Sequence, residues 1–396
     1  MRILFTIILL VVSTMSTCAQ TAQEVTLKVN NPSEIQRREV IEADYQKVCQ
    51  QLQINKGDSF VVYNGFGQEQ TYQVTYDGKL LLDVAVQPRS TAVFTIAKGT
   101  PKPFRLSVFG RVYPERDDDL TWENDRGIYR MYGPALQRSG QKAYGTDVWL
   151  KNTPELVLEE RYRLHLWGVG LRDSLYRAKQ EKAAHDIYVN TSFHHDHGYG
   201  MDCYEVGPSL GCGTPALMRD GQLIYPYCWN ECTILDNGPL RFTAELTYNT
   251  TADGITEHRR VSLDKGAHFN RMTVWYDGIK MPTTLAAGVV LHSTDNYVAG
   301  KDYVQYADPT DNPKVHQSQI YVATLFPEGV DKTMRLEGTP NNAIGMIGNY
   351  MGKPYIYYFG SAWSKYDIQT QAQWQLCIDE QLQNFRHPLE IIIEQK

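Results

Sequence analysis

The sequence predicts an all-β protein in which a small N-terminal β-sandwich is followed by a larger two-sheet sandwich. Many short segments alternate apolar and polar residues with the period of two that is typical of strands. Clusters of Gly, Asn and Asp separate these segments at hairpin spacing. The composition agrees, because 26 Tyr against 12 Phe favours half-buried strand faces and polar clefts. The 396 residues suit about two domains.

The first segment carries a targeting signal. After Arg2, residues 3–12 form an almost unbroken apolar run that is too short to span a bilayer. Thr17 and Ala19 then stand at the −3 and −1 positions of a cut after residue 19. We therefore expect residues 1–19 to be a signal peptide and the mature protein to be secreted into the periplasm. Lipid anchoring through Cys18 is the less favoured alternative, and no later segment predicts membrane insertion.

Residues 20–100 are predicted to form the N-terminal β-sandwich. The segment 24–30 alternates strictly, and 79–86 and 92–96 are strand-like. The pairs Asn64-Gly65 and Asp77-Gly78 are turn signals of the hairpin type. A helix within 40–54 is an alternative for that stretch, and residues 98–103 have the composition of a linker.

Residues 105–396 are predicted to form the second, larger sandwich. Strand-like segments occur at 105–113, 244–248, 259–263, 270–276 and 355–359. One helix is expected over 173–184, with Asp173 as its N-terminal cap. The sequence shows no repeat of 20–50 residues, which argues against a propeller or a solenoid.

Composition also narrows the function. The net charge of −6 argues against a broad electrostatic grip on nucleic acid. Six cysteines follow residue 19, so disulfides are permitted in an oxidising compartment, although reduced, buried thiols are equally compatible. The sequence lacks a Gly-rich phosphate loop, a GxSxG elbow and an HExxH motif, which removes the commonest nucleotide, serine-hydrolase and zincin interpretations.

The densest polar cluster lies at residues 190–204. His194, His195 and His197 occupy three of four consecutive positions, and imidazole titrates near neutral pH. On an extended chain His195 and His197 share one face and His194 takes the other. Tyr199 follows between two glycines that allow tight turns. We expect a functional site here, with a polar surface loop as the alternative.

A second polar cluster spans residues 113–133. On a strand, Trp122, Asn124 and Arg126 face one way, and Glu123 and Asp125 face the other. Tryptophan can stack on a sugar ring, and Arg with Asn can hold a uronate carboxylate. The two carboxylates can also serve glycoside hydrolysis. A structural salt-bridge network is the alternative.

Additional substrate-binding candidates are aromatic, acidic or basic groups elsewhere in the chain. Each by itself is as compatible with a structural role, but together they describe a Tyr- and Trp-rich surface that carries histidine and acids. They are Asp147 with Trp149, Tyr227 with Trp229, and His292 at the end of an apolar run.

Several motifs together resemble a secreted bacterial family catalogued as a domain of unknown function. They are residues 122–126 (WENDR), 129–134 (YRMYGP), 145–149 (GTDVW), 195–204 (HDHGYGMDCY) and 358–363 (YFGSAW). The resemblance implies a galactose-mutarotase-like supersandwich behind the N-terminal domain. It also implies genes in polysaccharide-utilisation loci, often near pectin-degrading enzymes. The family brings no catalytic assignment with it.

The leading hypothesis is cleavage of uronate-containing plant or algal glycan fragments by β-elimination. His195 or His197 would remove the proton, Arg126 and Asn124 would neutralise the carboxylate, and Tyr199 would protonate the leaving group. The alternatives are a glycoside hydrolase using Glu123 with Asp125 or Asp147, a sugar mutarotase or epimerase, and a non-catalytic glycan-binding protein. The expected partner is an oligosaccharide or polysaccharide. No cofactor is required, although a divalent cation is compatible with the cluster.

Overall fold

A computed structural model describes residues 23–225 and 227–395. The predicted signal peptide lies outside these residues. The helices are α1 (Tyr45–Leu52), α2 (Pro134–Arg138), α3 (Leu158–Arg177), α4 (Glu181–Thr191), α5 (Pro313–His316) and α6 (Gln371–Arg386). The strands are β1 (Glu24–Asn31), β2 (Arg37–Asp44), β3 (Phe60–Asn64), β4 (Glu69–Gln70), β5 (Tyr72–Val74), β6 (Lys79–Val86), β7 (Ser90–Lys98), β8 (Phe109–Tyr113), β9 (Asp119–Glu123), β10 (Ile128–Met131), β11 (Asp147–Trp149), β12 (Cys212–Arg219), β13 (Gln222–Ile224), β14 (Trp229–Asn237), β15 (Arg241–Tyr248), β16 (Thr256–Asp264), β17 (Phe269–Asp277), β18 (Thr283–Leu291), β19 (Tyr297–Ala299), β20 (Tyr303–Asp308), β21 (Ile320–Leu325), β22 (Lys332–Leu336), β23 (Asn341–Tyr350), β24 (Tyr355–Trp363) and β25 (Glu390–Gln395).

The small sandwich consists of a five-stranded sheet, β25-β1-β7-β3-β4, and a three-stranded sheet, β2-β6-β5. Val25, Leu27 and Val29 alternate into its core, as the sequence pattern predicts. α1 begins after Asp44, whose carboxylate accepts a hydrogen bond from the Lys47 N–H. The last strand, β25, pairs with β1. The small sandwich therefore includes C-terminal residues, which the expected boundaries 20–100 and 105–396 assign to the second domain.

The large sandwich has two layers. One is an eight-stranded sheet, β14-β15-β16-β17-β24-β21-β20-β19. The other combines a four-stranded sheet, β11-β10-β9-β8, with a five-stranded sheet, β13-β12-β18-β23-β22. These two sheets meet at a parallel bridge between Thr146 and Gly211. Trp122, Val289 and Phe359 come from the three sheets and share one core, which confirms the all-β class with a small sandwich followed by a large one.

Helices cover two outer faces. Trp374 of α6 stacks on Phe269 of the eight-stranded sheet, with ring centroids 5.1 Å apart. α3 packs on the four-stranded sheet through Leu158 and Tyr162. The single expected helix over 173–184 is therefore wrong in extent, since α3 contains Asp173 in its interior and α4 follows as a second helix. The apolar periodicity of α3 is weak, because a small number of its side chains reach the core.

The described cysteines are all free, so no disulfide joins residues in this part of the chain. No helix in the described ranges is long and apolar enough to cross a membrane.

Candidate functional site

A buried arginine holds three carboxylates together behind the surface. Arg130 of β10 lies opposite Asp147 of β11 in the strand register, and its Nη2 atom is 2.5 Å from Asp147 Oδ2. The same nitrogen is 3.1 Å from Asp202 Oδ2, and Nη1 is 3.7 Å from Asp119 Oδ2. Cross-strand pairing therefore creates the first contact, and the loop after α4 adds Asp202.

One guanidinium does not balance three buried acids. Burial raises the pKa of Asp147 to about 7 against the lowering effect of Arg130, and the nearby Asp202 raises it further. Burial likewise raises the pKa of Asp119 to about 6, although Arg130 opposes this shift. The Trp149 indole N–H donates to Asp147 Oδ2 at 3.0 Å. The cluster can thus hold a proton near neutral pH.

The loop that brings Asp202 inward also brings a histidine to the surface above it. His194 Nδ1 lies 2.9 Å from the Asp202 carbonyl oxygen and 3.5 Å from Asp202 Oδ2. The His194 side chain is 44% exposed, whereas Asp202 is buried. The Asp202 backbone carbonyl therefore orients this accessible imidazole, and the buried carboxylate of the same residue lies beside the ring.

Two more histidines lie against buried aspartates, and these two hydrogen-bond the carboxylate directly. His292, which follows β18, places Nδ1 2.6 Å from Asp308 Oδ2 at the end of β20. His316, at the end of α5, places Nδ1 2.9 Å from Asp311 Oδ1. Both aspartates are fully buried, while the two imidazoles are 17% and 42% exposed. Asp308 and Asp311 are thus fixed acceptors behind the rings.

Cys203, the neighbour of Asp202 in the chain, joins two of these pairs by contact. Its Sγ atom is 3.9 Å from Asp311 Oδ1. Burial raises the pKa of this thiol, and Asp311, Asp202, Asp147 and Asp308 raise it further by repelling a thiolate. One side chain therefore experiences all of these carboxylates. We call the pairs His194–Asp202, His292–Asp308 and His316–Asp311 the His–Asp rim.

The rim has the parts needed for proton transfer. An imidazole oriented by a carboxylate is a typical general base or acid. The hydrogen bond and charge of Asp308 raise the pKa of His292 even though burial opposes protonation. The Tyr204 ring meets His292 edge-on at 5.8 Å, and its buried hydroxyl has no hydrogen-bond partner among the described residues. The site can accept one proton and donate another.

The structure corrects the expectation that Trp122 and Asn124 face a ligand. β9 is an interior strand whose five residues are all buried. The Trp122 indole N–H donates to Asn270 Oδ1 at 2.7 Å inside the core. Asn124 donates to the carbonyl oxygens of Asp264 and Ala267. Neither side chain presents a surface on which a sugar can stack or bind.

Glu123 is also committed to structure. Its carboxylate accepts from Lys151 Nζ at 2.7 Å and from the N–H groups of Val157 and Leu158 at the start of α3. These bonds satisfy a buried cation and two helix-terminal donors. The expectation that Glu123 is a catalytic acid or nucleophile is therefore wrong for this geometry.

Asp125 and Arg126 lie apart from the rim. Asp125 Oδ1 accepts from the Gly266 N–H at 2.6 Å. Arg126 forms an ion pair with Asp367, which also lies 3.2 Å from His268 Nε2. The predicted role of Arg126 in neutralising a substrate carboxylate is corrected, because its guanidinium is already paired.

His195, His197 and Tyr199 border the rim without belonging to its pairs. His197 Nε2 is 2.9 Å from the Ser192 carbonyl oxygen. His195 meets Tyr188 edge-on at 5.1 Å, and burial lowers its pKa. Tyr199 lies 5.9 Å from the Arg161 guanidinium carbon. Their assignment as catalytic residues stays a prediction, and His194 is the member of this cluster that has a carboxylate partner.

The remaining candidates divide between the core and the rim. Trp149 and Trp229 are buried, so neither is an open sugar platform, and Tyr227 is half-buried against Tyr144. Asp147 and His292 do join the site. Residues that reasoning from the sequence missed are Asp119, Arg130, Asp202, Asp308, Asp311 and His316. Arg130 and Asp202 lie within two of the family-like motifs, at 129–134 and 195–204, and these motifs were the sequence signal that could have identified them.

Within 23–225 and 227–395, no group of three or more His, Cys, Asp or Glu side chains is arranged to hold a metal ion.

The family model of a domain of unknown function, DUF4861, matches residues 29–391. The chain belongs to this family. A relative, "Uncharacterized protein P7" of Formosa agariphila, is 26% identical over 336 residues, which are 80% of this chain and 78% of that protein. The resemblance to a domain of unknown function is thus confirmed, whereas the locus and secretion stay predictions.

Solved structures show lower similarity. A protein in the glycosyl hydrolase family 38 from Enterococcus faecalis has a TM-score of 0.49 and 9% identity over 94% of this chain and 47% of that one. An alpha-mannosidase from Enterococcus faecalis V583 has a TM-score of 0.45 and 10% identity over 93% and 46%. The chain therefore spans about half the length of both structures, and at these scores the likeness does not bear on function.

Proposed function

We propose that this DUF4861 member is a periplasmic, carbohydrate-active enzyme that cleaves uronate-containing glycan fragments by β-elimination at the His–Asp rim. The observation that carries the proposal is a set of three accessible or partly accessible imidazoles, each beside a buried aspartate, in which Cys203 joins the Asp202 segment to Asp311. A buried acid that orients an imidazole is costly to maintain and clusters at functional sites.

The exposure of the titratable groups favours elimination over hydrolysis. Glycoside hydrolysis requires two carboxyl groups that reach the glycosidic bond. Here Asp202, Asp308 and Asp311 lie behind their histidines and are almost completely buried. Elimination requires a base next to the substrate, and an accessible imidazole of the rim can serve as that base.

The reaction assigns one role to each part of the rim. His194 or His316 takes the proton from C5 of the uronate, the C4–O bond breaks, and a C4=C5 double bond forms. His292, whose pKa is raised, donates a proton to the leaving oxygen. A cation must also neutralise the substrate carboxylate, since charge accumulates there as the C5 proton leaves.

Lys365 replaces Arg126 as the candidate for that cation. It is exposed, and it has no ion pair with any described residue. Its Nζ lies 5.1 Å from the Trp363 ring, whose N–H donates to Asp311 Oδ2 at 2.9 Å. The lysine therefore lies one side chain away from the His316–Asp311 pair.

Incubation with a panel of uronate oligosaccharides tests the proposal. Elimination gives products whose masses add up to the substrate without water, together with the absorbance of an unsaturated uronide. His194→Ala and His316→Ala are each expected to lower the rate by about 10²-fold or more. His185→Ala, which changes an exposed histidine of α4, is the matched control. Full activity in both rim variants would remove the assignment.

Hydrolysis is the second candidate, and it would require the buried acid cluster around Arg130 to open to the substrate. Asp147, whose pKa is raised to about 7, and Asp202 both contact Arg130, so a proton donor and a carboxylate lie together. Products that gain water, and a loss of this activity in Asp147→Asn with little effect of His316→Ala, would select this mechanism.

A further inference from the structure

A second cleft lies apart from the His–Asp rim. It has a volume of about 440 Å³ and lies between β2 of the small sandwich, the outer face of the eight-stranded sheet and the C-terminal end of α6. It shares no lining residue with the rim. Its size falls within the range of sites that bind small molecules.

The acids of this cleft are all paired with arginines. Glu39 is 2.7 Å from Arg37, while Glu42 and Asp264 each lie 2.5 Å from Arg241. Each of the three carboxylates therefore has an arginine partner, with Arg241 shared between Glu42 and Asp264.

Two cations of the cleft are not closely paired with acids. Arg271 of β17 is exposed and has no ion pair with residues 23–225 or 227–395. Arg38 reaches Asp83 only at 3.8 Å, and that carboxylate binds Lys265 Nζ at 2.6 Å. The cleft therefore has spare positive charge at two guanidinium groups, even though the whole chain is acidic. Guanidinium groups bind carboxylates through paired, charge-assisted hydrogen bonds.

Aromatic and amide groups complete the lining. Phe385 of α6 stacks on Tyr358 with centroids 3.6 Å apart, and both rings line the cleft. Gln381 and Asn384 from the same helix add amide donors and acceptors. An aromatic ring beside amides and guanidinium groups matches a ligand that has apolar ring faces, hydroxyl groups and carboxylates.

We propose that this cleft is a second, non-catalytic binding site for an acidic oligosaccharide. Arg271 and Arg38 bind a uronate carboxylate, Phe385 packs against a sugar ring, and Gln381 and Asn384 bond hydroxyl groups. The ligand class rests on the proposed function, but the site itself is independent of the rim. Its role is to hold part of an acidic glycan while the rim acts on another part or on another chain.

Calorimetric titration with a galacturonate trisaccharide tests this site in the full-length His194→Ala/His316→Ala variant, in which turnover is suppressed. Adding Arg271→Gln or Phe385→Ala is expected to raise the Kd by about tenfold, the loss of one good contact. Arg260→Gln is the matched control, because Arg260 lies on neighbouring β16 but outside the cleft and pairs with Glu245. Circular dichroism confirms that each variant is folded.

The outcomes separate the two proposals. Binding that is weakened by Arg271→Gln and Phe385→Ala but not by Arg260→Gln supports the second site, even if no turnover is found and the proposed function fails. An unchanged Kd in both cleft variants, or an absence of binding, overturns the second site. Turnover that depends on His194 still supports the proposed function in that case.

Discussion

At the level of single residues, the same chemical groups have different roles because their surroundings differ. Glu123 and Asp147 are both buried acids near tryptophan. Glu123 meets a lysine and two helix N–H groups, so its charge is satisfied. Asp147 shares one arginine with two other acids, so burial dominates and raises its pKa to about 7. The sequence shows both carboxylates but not this difference.

Asp147 gives a prediction about pH. Its pKa in the folded chain lies above the ordinary value of about 3.9, so the folded state binds the proton more tightly than the unfolded state does. This group therefore stabilises the fold at low pH, and its contribution is lost as the pH rises from about 4 to about 7. Asp147→Asn should remove this pH-dependent decrease in stability. The measurement is the difference in unfolding free energy between variant and wild type from about pH 4 to about pH 7.

The control for this prediction is an exposed aspartate with the opposite shift. Arg219 lowers the pKa of Asp253, so Asp253 stabilises the fold above its ordinary pKa and this contribution is lost as the pH falls into the acid range. Asp253→Asn should therefore give a constant difference from wild type above about pH 4 and should change the pH dependence only below it. A parallel pH dependence for Asp147→Asn and wild type between pH 4 and 7 would contradict the assignment.

Glu123 gives a prediction about stability. Glu123→Gln leaves the Lys151 ammonium buried without its anion, which should lower the unfolding free energy by about 3–5 kcal/mol. Urea titration measures this change. The remaining folded protein should keep any activity of the proposed site, because Glu123 does not reach the surface. The double variant Glu123→Gln/Lys151→Met should recover part of the stability. A stable but inactive Glu123→Gln protein would restore the hydrolase role.

At the level of elements, local signals describe some helix ends well. Thr370 and Gln373 form a reciprocal capping box at the start of α6, in which each side chain bonds the other residue's N–H group. This signal can be read directly in the sequence. α3, in contrast, begins without a side-chain cap of its own. The N–H groups of Val157 and Leu158 at its start donate instead to Glu123, which is distant in sequence. Local patterns could not place that helix.

The capping box gives a prediction for α6. Thr370→Ala should lower the unfolding free energy by about 1 kcal/mol, because the N–H of Gln373 loses its acceptor. Thr370→Ser keeps the hydroxyl group and should remain close to wild type. Chemical denaturation of wild type, Thr370→Ala and Thr370→Ser measures the unfolding free energies. Equal decreases in the two variants would show that the Thr370 methyl group matters rather than its hydroxyl group.

At the level of the whole molecule, a C-terminal strand pairs with an N-terminal strand. β25 adds itself to the edge of β1, with Ile393 opposite Leu27 and Ile391 opposite Val29. An N-terminal and a C-terminal segment of the described chain therefore share one sheet. No local sequence pattern predicts the pairing of residues that are more than 300 positions apart.

This closure predicts a position-dependent effect within β25. Ile393 is buried and Ile392 is exposed, so Ile393→Asp should destabilise the chain by about 2–4 kcal/mol whereas Ile392→Asp should have little effect. Hydrogen exchange should show the loss of protection within residues 24–98. Equal protection in the two variants would mean that β25 does not contribute to the small sandwich.

The sequence by itself determined the all-β class, the positions of some strands and several chemical groups that reach the site, since alternation and turn residues are local properties. It also showed His194, Asp147 and His292, but not their partners. Only the tertiary structure decided that Glu123 and Arg126 are satisfied elsewhere and that Asp202, Asp308 and Asp311 support three histidines. The physical reason is that burial and pairing depend on neighbours distant in the chain, and these neighbours decide whether a charged group is structural or available for chemistry.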